Sequence, residues 1–344
     1  MKITAKMIAE QLGISTATVD RVFNNRNGVS PKMAHKVKEK AKELNYKPNK
    51  SASFLSRKKE IRAAFLFPIF PEYFWKEIER GIWTAHEDMY HYGMDIEIIR
   101  KDHEVEEQIK TVEDIIVSDK YDALVFAPVD AEPFLNVIQK GINQGFPIYT
   151  FNNDSPLSKR LSYVGADYLD AGRLAGELLH QFMGPSKNFT LILDELNTFQ
   201  MKQKIKGFQE WAAYNGVTFE TPLYIEHRRL NRNLNESIAL LEQDIEGLDG
   251  IYVACGALAD VAGGIERMNL KNRPIIVGHD ISKDINHYLQ KGVVTATICQ
   301  DPVFQGRQAV QTVFNHLMLE EEIDQVEQIV KLEIVTKGNA KYYI

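Results

Sequence analysis

The sequence predicts a small all-α head followed by a two-lobed α/β domain. The first 60 residues are basic, with 14 Lys and Arg against 5 Asp and Glu, whereas the rest of the chain holds 27 basic against 42 acidic side chains. From residue 61 onward, short apolar strands alternate with amphipathic helices, a pattern typical of parallel sheets covered on both faces. These units are too many for one small sheet, so we expect two doubly wound lobes.

Three helix signals lie close together in the basic head. Thr4 is a suitable cap for a first helix that ends at Gly13, and Ser15 caps a second helix after a very short turn. Ser30, followed by a proline, predicts a third helix that runs to about Leu44. Three short helices with one shared core form a helix-turn-helix unit, whose second helix enters the major groove of DNA.

The outward face of the second helix supplies the candidate DNA contacts. Arg21 is suited to a base or a phosphate, and Thr16 and Ala17 are small enough to let the helix approach base edges. Neighbouring hydroxyl and amide side chains are suited to phosphate oxygens: Ser15, Thr18 and Asn24. The alternative is a solvated helical mini-domain whose lysines only keep it soluble.

The order of residues in the head and just after it matches a known family. It reads ThrVal(x)ArgVal(x)Asn at 18–24, ValSer at 29–30 and Tyr(x)ProAsn(xx)Ala(xx)Leu at 46–55. This order resembles the lactose-repressor (LacI/GalR) family of bacterial transcription regulators. The candidate DNA-binding set is completed by Thr4, Ser30, Tyr46, Asn49, Ala52 and Leu55.

The resemblance implies a hinge helix from about Asn49 to Arg57, where Leu55 pushes into the minor groove and kinks the duplex. A helix of under about ten residues is marginal in water, so it should form only when DNA and a second subunit stabilise it. The alternative for Leu55 is a linker residue that packs on its own body. Asp20 departs from the family pattern, in which many members carry Ser, and is expected to pair with a base-contacting arginine or to accept from cytosine N4.

The body pattern predicts its elements in order. Strands are expected at 63–67, 95–100, 123–127, 148–151, 190–193, 250–254, 275–278 and 294–298. Helices are expected at 74–92, 105–120, 132–144, 166–183, 202–215 and 235–246. The predicted domains are 1–47 for the head, 48–60 for the hinge and 61–344 for the body. Within the body, lobe 1 takes about 61–162 and 302–325, and lobe 2 takes about 163–301 and 326–344.

The family resemblance implies a periplasmic-binding-protein architecture with a ligand between the lobes, at the carboxyl ends of the strands. Phe74 or Trp75 could stack on a sugar ring, with core packing as the alternative. After the fourth strand, three consecutive polar side chains suit a polyol: Asn152, Asn153 and Asp154.

The second lobe supplies three further candidates for the ligand site. Lys202 stands where many family members have an arginine that clamps sugar hydroxyls, although an ordinary surface lysine is an equal alternative. Asp280 is assigned to two ligand hydroxyls, and Gln300 is expected to face the cleft.

Other function classes lack support in the sequence. No P-loop, GxGxxG, GxSxG or HExxH motif is present, so we expect no enzyme, no catalytic residue, no cofactor and no metal. The two cysteines, Cys255 and Cys299, lack metal or redox spacing. No apolar run suits a membrane span or a secretion signal, so a cytoplasmic, nucleoid-associated protein without a membrane partner is expected.

The expected partners are double-stranded operator DNA, a small-molecule effector of the sugar class, and a second copy of the chain in a homodimer. The sequence therefore predicts a DNA-binding transcription regulator, and more specifically a repressor, that is controlled by a small carbohydrate. One alternative is a DNA-binding regulator that responds to a phosphorylated metabolite or a partner protein instead of a free sugar. A more distant alternative is a carbohydrate-binding protein without a regulatory role.

Overall fold

The computed structural model describes residues 3–23, 27–44, 46, 59–101, 104–184, 188–194, 198–217, 223–225, 245, 247–268 and 270–344. The predicted DNA contacts Asn24, Asn49, Ala52 and Leu55 lie outside the described residues, as does nearly all of the helix predicted at 235–246. The chain divides into two compact units, Met1–Lys59 and Glu60–Ile344.

The head contains the three predicted helices, α1 (Ala5–Leu12), α2 (Thr16–Phe23) and α3 (Pro31–Glu43). Each begins at the predicted cap: Thr4 Oγ1 accepts from Met7 N at 3.4 Å, Ser15 Oγ from Thr18 N at 3.1 Å, and Ser30 Oγ from Met33 N at 3.3 Å. Capping matters here because the first backbone N–H groups of a helix have no partner within it. The helices share a core of apolar side chains: Ile8, Ala9, Val19, Val22, Val37 and Ala41.

The body alternates strands and helices. Its first half contains β1 (Ile61–Pro68), α4 (Glu72–Met89), β2 (Met94–Lys101), α5 (Val105–Val117), β3 (Ala123–Phe126), α6 (Leu135–Asn143), β4 (Ile148–Phe151), β5 (Tyr163–Gly165) and α7 (Tyr168–Met183). It continues with β6 (Phe189–Asp194), α8 (Phe199–Tyr214), β7 (Leu223–Ile225), β8 (Gly250–Val253), α9 (Leu258–Arg267), β9 (Ile275–His279), α10 (Lys283–Gln290), β10 (Ala296–Cys299), α11 (Pro302–Val313), β11 (Glu327–Ile329) and β12 (Glu333–Val335).

The strands form two sheets, one in each lobe. The described strands of the first sheet are all parallel and follow the order β11-β5-β4-β3-β1-β2. The second sheet follows the order β12-β10-β9-β8-β6-β7, and only its edge strand β12 runs antiparallel to its neighbour. Two doubly wound lobes are therefore present, as the sequence predicts.

The boundary between the lobes differs from the predicted one. The structure places β5 and β11 in the first sheet, where Thr150 is in register with Tyr163 and Tyr163 with Glu327. The first lobe therefore includes 163–165 and 327–329, which were assigned to the second lobe. Both strands have only three residues, too few to show a pattern in the sequence. The chain crosses between lobes after β5, after β10 and between β11 and β12.

Close helix pairs fix the position of α8, which carries part of the site. A side chain at Gly172 of α7 would collide with the Lys204 carbonyl, and one at Gly207 of α8 would collide with the Leu169 carbonyl. These glycines let the two helix backbones approach closely. Lys204 is therefore presented by a rigidly packed helix.

Candidate functional site

The outward face of α2 carries the predicted DNA contacts. Val19 and Val22 are buried in the head core, whereas Ser15, Thr16, Ala17 and Arg21 are exposed. Thr18 and Asp20 are half-buried, and the Thr18 hydroxyl lies 2.9 Å from that of Ser15. The face is thus polar and made of short side chains beside one arginine, which allows close approach to a groove.

Several predicted DNA-binding residues make contacts within the head, Ser15 and Thr18 among them. Thr4 and Ser30 cap helices, and the Tyr46 ring lies edge-on to Phe23 with ring centroids 5.5 Å apart. These side chains hold the helices together, which leaves Arg21 and its neighbours on α2 as the described groups that are best placed to contact DNA.

The second candidate site lies in the body at the carboxyl ends of β4, β9 and β10. Asn152, Asp280 and Asp301 follow these strands, with φ angles of 57°, 61° and 44°. Positive φ is uncommon for residues other than glycine, although Asn and Asp adopt it more readily than most. Such strained positions cluster at functional sites, where surrounding contacts hold them.

Gln300 joins the predicted cleft residues of the two lobes. Its Oε1 accepts from Tyr168 OH at 3.0 Å and from Asn152 Nδ2 at 3.4 Å, and its Nε2 donates to Asp280 Oδ1 at 3.1 Å. Gln305 Nε2 donates to the Gln300 carbonyl at 2.7 Å. The structure therefore brings together three of the predicted effector residues, Asn152, Asp280 and Gln300.

Asp154 is held in an internal ion pair. Its carboxylate accepts from Arg160 Nε at 2.6 Å and Nη2 at 2.7 Å, and from Thr150 Oγ1 at 2.6 Å. Both charged side chains are buried. The expectation that three successive polar residues face a ligand is therefore corrected, because both oxygens of Asp154 have partners within the first lobe.

Asn153 also has partners in the protein. Its Nδ2 donates to the Pro128 carbonyl at 2.6 Å, and its Oδ1 accepts from Gln200 N, in the second lobe, at 3.2 Å. This amide therefore spans the two lobes.

Phe74 and Trp75 pack as core residues. Each is only 4% exposed, Trp75 stacks on Phe67 with centroids 5.2 Å apart, and its Nε1 donates to the Phe70 carbonyl at 3.1 Å. This matches the packing alternative. The preceding Tyr73 instead packs against the core of the second lobe, and its hydroxyl is buried without a hydrogen-bond partner in the described structure.

Lys204, which sequence reasoning missed, is the buried cation of the cleft. Its side chain is 3% exposed, its Nζ donates to the Ala254 carbonyl at 2.9 Å, and it lies 5.6 Å from the Tyr168 ring centroid. Lys202 is 39% exposed, and its Nζ lies 3.4 Å from Asp130 Oδ1. The helical phase could have distinguished them, because Lys204 follows buried Met201 by three residues and precedes buried Phe208 by four.

Burial shifts the charges of this site. It raises the pKa of Asp280 to about 6, an effect that nearby Lys204 and the Gln300 hydrogen bond oppose. Burial also lowers the pKa of Lys204 to about 8, against the opposing field of Asp280. His279 takes no part in the Gln300 network, since its Nε2 lies 2.7 Å from Tyr252 OH and burial keeps its pKa well below 6.5. Near pH 7 the site therefore holds one carboxylate and one ammonium, both poorly solvated.

A second concavity, of about 300 Å³, lies elsewhere in the body. Its lining runs from Gln308 to Gln328 and includes none of the predicted effector residues. Among the residues that the structure describes, no helix combines the length and apolar character needed to cross a membrane. The same part of the chain contains no cluster of three or more His, Cys, Asp or Glu side chains arranged to hold a metal ion.

Two family models match the chain. A model described as bacterial regulatory proteins of the lacI family matches residues 4–49, and a model described as a periplasmic binding protein domain matches residues 63–321. The HTH-type transcriptional regulator DegA of Bacillus subtilis is 26% identical over 285 residues, covering 81% of this chain and 82% of that protein. Catabolite control protein A of Staphylococcus aureus is 26% identical over 221 residues, or 63% of each chain.

Solved structures share the fold of the body. A Bacteroides fragilis chain described as a LacI transcriptional regulator has a TM-score of 0.76 at 16% identity, covering 83% of this chain and 100% of that chain. GanP, a glucose-galactose binding protein from Geobacillus stearothermophilus, has a TM-score of 0.72 at 22% identity, covering 82% of this chain and 99% of GanP. A solute binding protein from Burkholderia graminis in complex with D-arabinose has a TM-score of 0.72 at 21% identity, covering 83% and 98%. At these identities the likeness shows the fold.

The ion pair of Arg160 generates a stability prediction. Replacing Arg160 with Met leaves the Asp154 carboxylate buried without its partner, and we expect the free energy of unfolding to fall by about 3–5 kcal/mol. Arg173→Met is the matched control, because Arg173 makes exposed ion pairs with Asp170 and Glu210 and should contribute less than about 1 kcal/mol. Urea denaturation of both variants measures the difference, and equal losses would contradict the internal role of Asp154.

Proposed function

The chain belongs to the lacI family of bacterial regulatory proteins and is a DNA-binding transcription regulator, and from this premise we propose that it is a repressor controlled by a small sugar bound between the two lobes. The proposal includes a homodimer that binds a roughly palindromic operator, because a two-fold protein requires two-fold half-sites. Sugar binding would change the relative orientation of the lobes and thereby the affinity for the operator. Coupling of this kind is typically worth about 1–3 kcal/mol.

The observation that carries the sugar assignment is the pair of opposite, poorly solvated charges in the cleft. Asp280 and Lys204 influence each other's pKa without forming a direct ion pair in the described structure. The carboxylate can accept further hydrogen bonds, and among the described residues the ammonium uses one of its three donors, to Ala254. A sugar hydroxyl both donates and accepts, so a polyol can satisfy both groups. The Tyr73 hydroxyl, which has no hydrogen-bond partner among the described residues, adds a third polar group near Asp280.

Charge counting favours a neutral sugar over a phosphorylated metabolite. Of the cations described around the strand ends, Lys202 is paired with Asp130 and Arg160 with Asp154. Of these described cations, only Lys204 is left to neutralise a phosphate dianion, and the nearby Asp280 carboxylate would repel that dianion. Burying it there would therefore cost considerable free energy. The fold neighbours described as binding glucose, galactose and D-arabinose also support the sugar class.

Calorimetry of the full chain tests the effector assignment. D-glucose, D-galactose, D-arabinose, D-ribose and glucose 6-phosphate are titrated separately, and we expect binding heat with a neutral sugar. Asp280→Ala should abolish this heat and the change in operator affinity while leaving sugar-free operator binding intact, because Asp280 lies in the body. Asp284→Ala, on the exposed first turn of α10, is the control and should bind like wild type. Heat with the phosphosugar alone would refute the neutral-sugar assignment.

The two shifted pKa values predict how sugar affinity depends on pH. A sugar hydroxyl that donates to Asp280 favours the ionised carboxylate, and one that accepts from Lys204 favours the protonated amine. Binding therefore lowers the pKa of Asp280 and raises that of Lys204. Affinity should therefore decline below the Asp280 pKa of about 6 and above the Lys204 pKa of about 8. Protonation of Asp280 alone should make affinity about tenfold weaker at pH 5 than at pH 7. Titration calorimetry across this range checks it, and a profile without the acidic decline would rule out Asp280 as the acceptor.

Arg21 is the described residue expected to contribute most to operator recognition. Arg21→Ala should weaken specific binding by about 1–3 kcal/mol, because a base-contacting arginine is lost. Lys6→Ala, which removes an exposed α1 lysine 4.0 Å from Glu10, should have a smaller effect. Fluorescence anisotropy with a selected operator fragment measures both, and undiminished affinity of the Arg21 variant would remove this residue from the interface.

A further inference from the structure

Two polar contacts join the lobes at one place beside the cleft. On the first lobe, Asp130 follows β3 and Asn153 follows β4. On the second lobe, Gln200 and Lys202 lie in the first turn of α8. Asn153 Oδ1 accepts from Gln200 N at 3.2 Å, and Lys202 Nζ lies 3.4 Å from Asp130 Oδ1. We refer to these four residues as the inter-lobe latch.

The orientation of the Asn153 amide follows from its partners. Its Nδ2 faces two carbonyl oxygens of the first lobe, that of Pro128 at 2.6 Å and that of Val129 at 3.5 Å. Because carbonyls only accept, the nitrogen must lie on that side. This leaves Oδ1 to accept, from Asp154 N at 3.2 Å in the first lobe and from Gln200 N at 3.2 Å in the second. The buried amide is thus preset by its own lobe to accept from α8.

The start of α8 is incomplete without the first lobe. Thr198 caps the helix by accepting from Met201 N at 3.1 Å, which leaves the Gln200 N–H without a partner in its own helix. The first N–H groups of a helix need external acceptors, and the described acceptor for Gln200 is Asn153. Its amide hydrogen is therefore protected only while the lobes are together.

The ion pair of Lys202 with Asp130 adds a second contact that exists only while the lobes are together. The side chains of Lys202 and Asp130 are 39% and 23% exposed, so solvent screens their attraction only partly. Neither residue belongs to the Gln300 network that holds Asp280.

We propose that Asp130, Asn153, Gln200 and Lys202 form a latch that closes the lobes, and that Asn153 and Lys202 are positioning residues that act on the effector site through closure. This inference rests on the proposed function only for its effect on sugar affinity. The latch itself makes no contact that requires a sugar. Closure brings Asn152 of the first lobe to Gln300, Asp280 and Lys204 of the second, so loosening the latch weakens sugar binding indirectly.

Hydrogen exchange of the Gln200 amide in the full chain tests the latch without any sugar. Lys202→Met and Asp130→Asn remove the ion pair but keep the Asn153 acceptor. We expect each to accelerate Gln200 exchange about threefold, which corresponds to a loss within the range of a partly exposed ion pair. The charge exchange Asp130→Lys with Lys202→Asp should restore the wild-type rate. Lys140→Met is the control, because Lys140 lies 4.0 Å from Glu113 within the first lobe.

The sugar arm separates a positioning role from direct contact. With the neutral sugar that gives the most heat, Lys202→Met should weaken binding severalfold and the charge exchange should restore it. Restored affinity supports the latch, since a lysine that touches the sugar cannot be replaced by an aspartate. Unchanged Gln200 exchange in the single variants, or affinity that the charge exchange fails to restore, would overturn it. If no sugar binds but Gln200 exchange responds, the proposed effector falls and the latch stands.

Discussion

The body depends on polar groups that are buried where the chain crosses between its lobes. Gln300 stands at one crossover and bonds Asn152 of the first lobe and Asp280 of the second through opposite ends of one amide. Burying such groups is costly unless each has a partner, so the relative position of the lobes and the satisfaction of these groups are linked. A ligand that brings its own hydroxyl groups would change the same balance, which is the basis of the effector site that we propose.

The charged side chains near the cleft fall into two pairs with different roles. Asp154 and Arg160 neutralise each other inside the first lobe, whereas Asp280 and Lys204 influence each other's pKa without an ion pair in the part of the chain that the structure describes. The first pair keeps its carboxylate from any ligand, and the second leaves both groups with unused hydrogen-bonding capacity. The site thus separates charges that build the fold from charges that can recognise a polyol.

Much of the fold could be predicted from local sequence, because periodicity and capping are local. The strand predicted at 148–151 matches β4 in full, and the head helices begin at the predicted caps. The three-residue strands β5 and β11 were assigned to the wrong lobe because their pairing depends on partners distant in the chain. The cleft was predicted in part: Asn152, Asp280 and Gln300 come together, but the Arg160 partner of Asp154 left no local signal. Lys202 was selected from the sequence and Lys204 was missed, although the helical phase places Lys204 on the buried face of α8.

The central claim is that a ligand in the cleft and DNA at the head are coupled through one chain. The most direct measurement is the operator dissociation constant with and without saturating sugar, together with the sugar dissociation constant with and without operator. Thermodynamic linkage requires the two ratios to be equal, and a coupling of about 1–3 kcal/mol makes each about 5-fold to 150-fold. Operator affinity that stays the same while the sugar occupies the cleft would contradict the account.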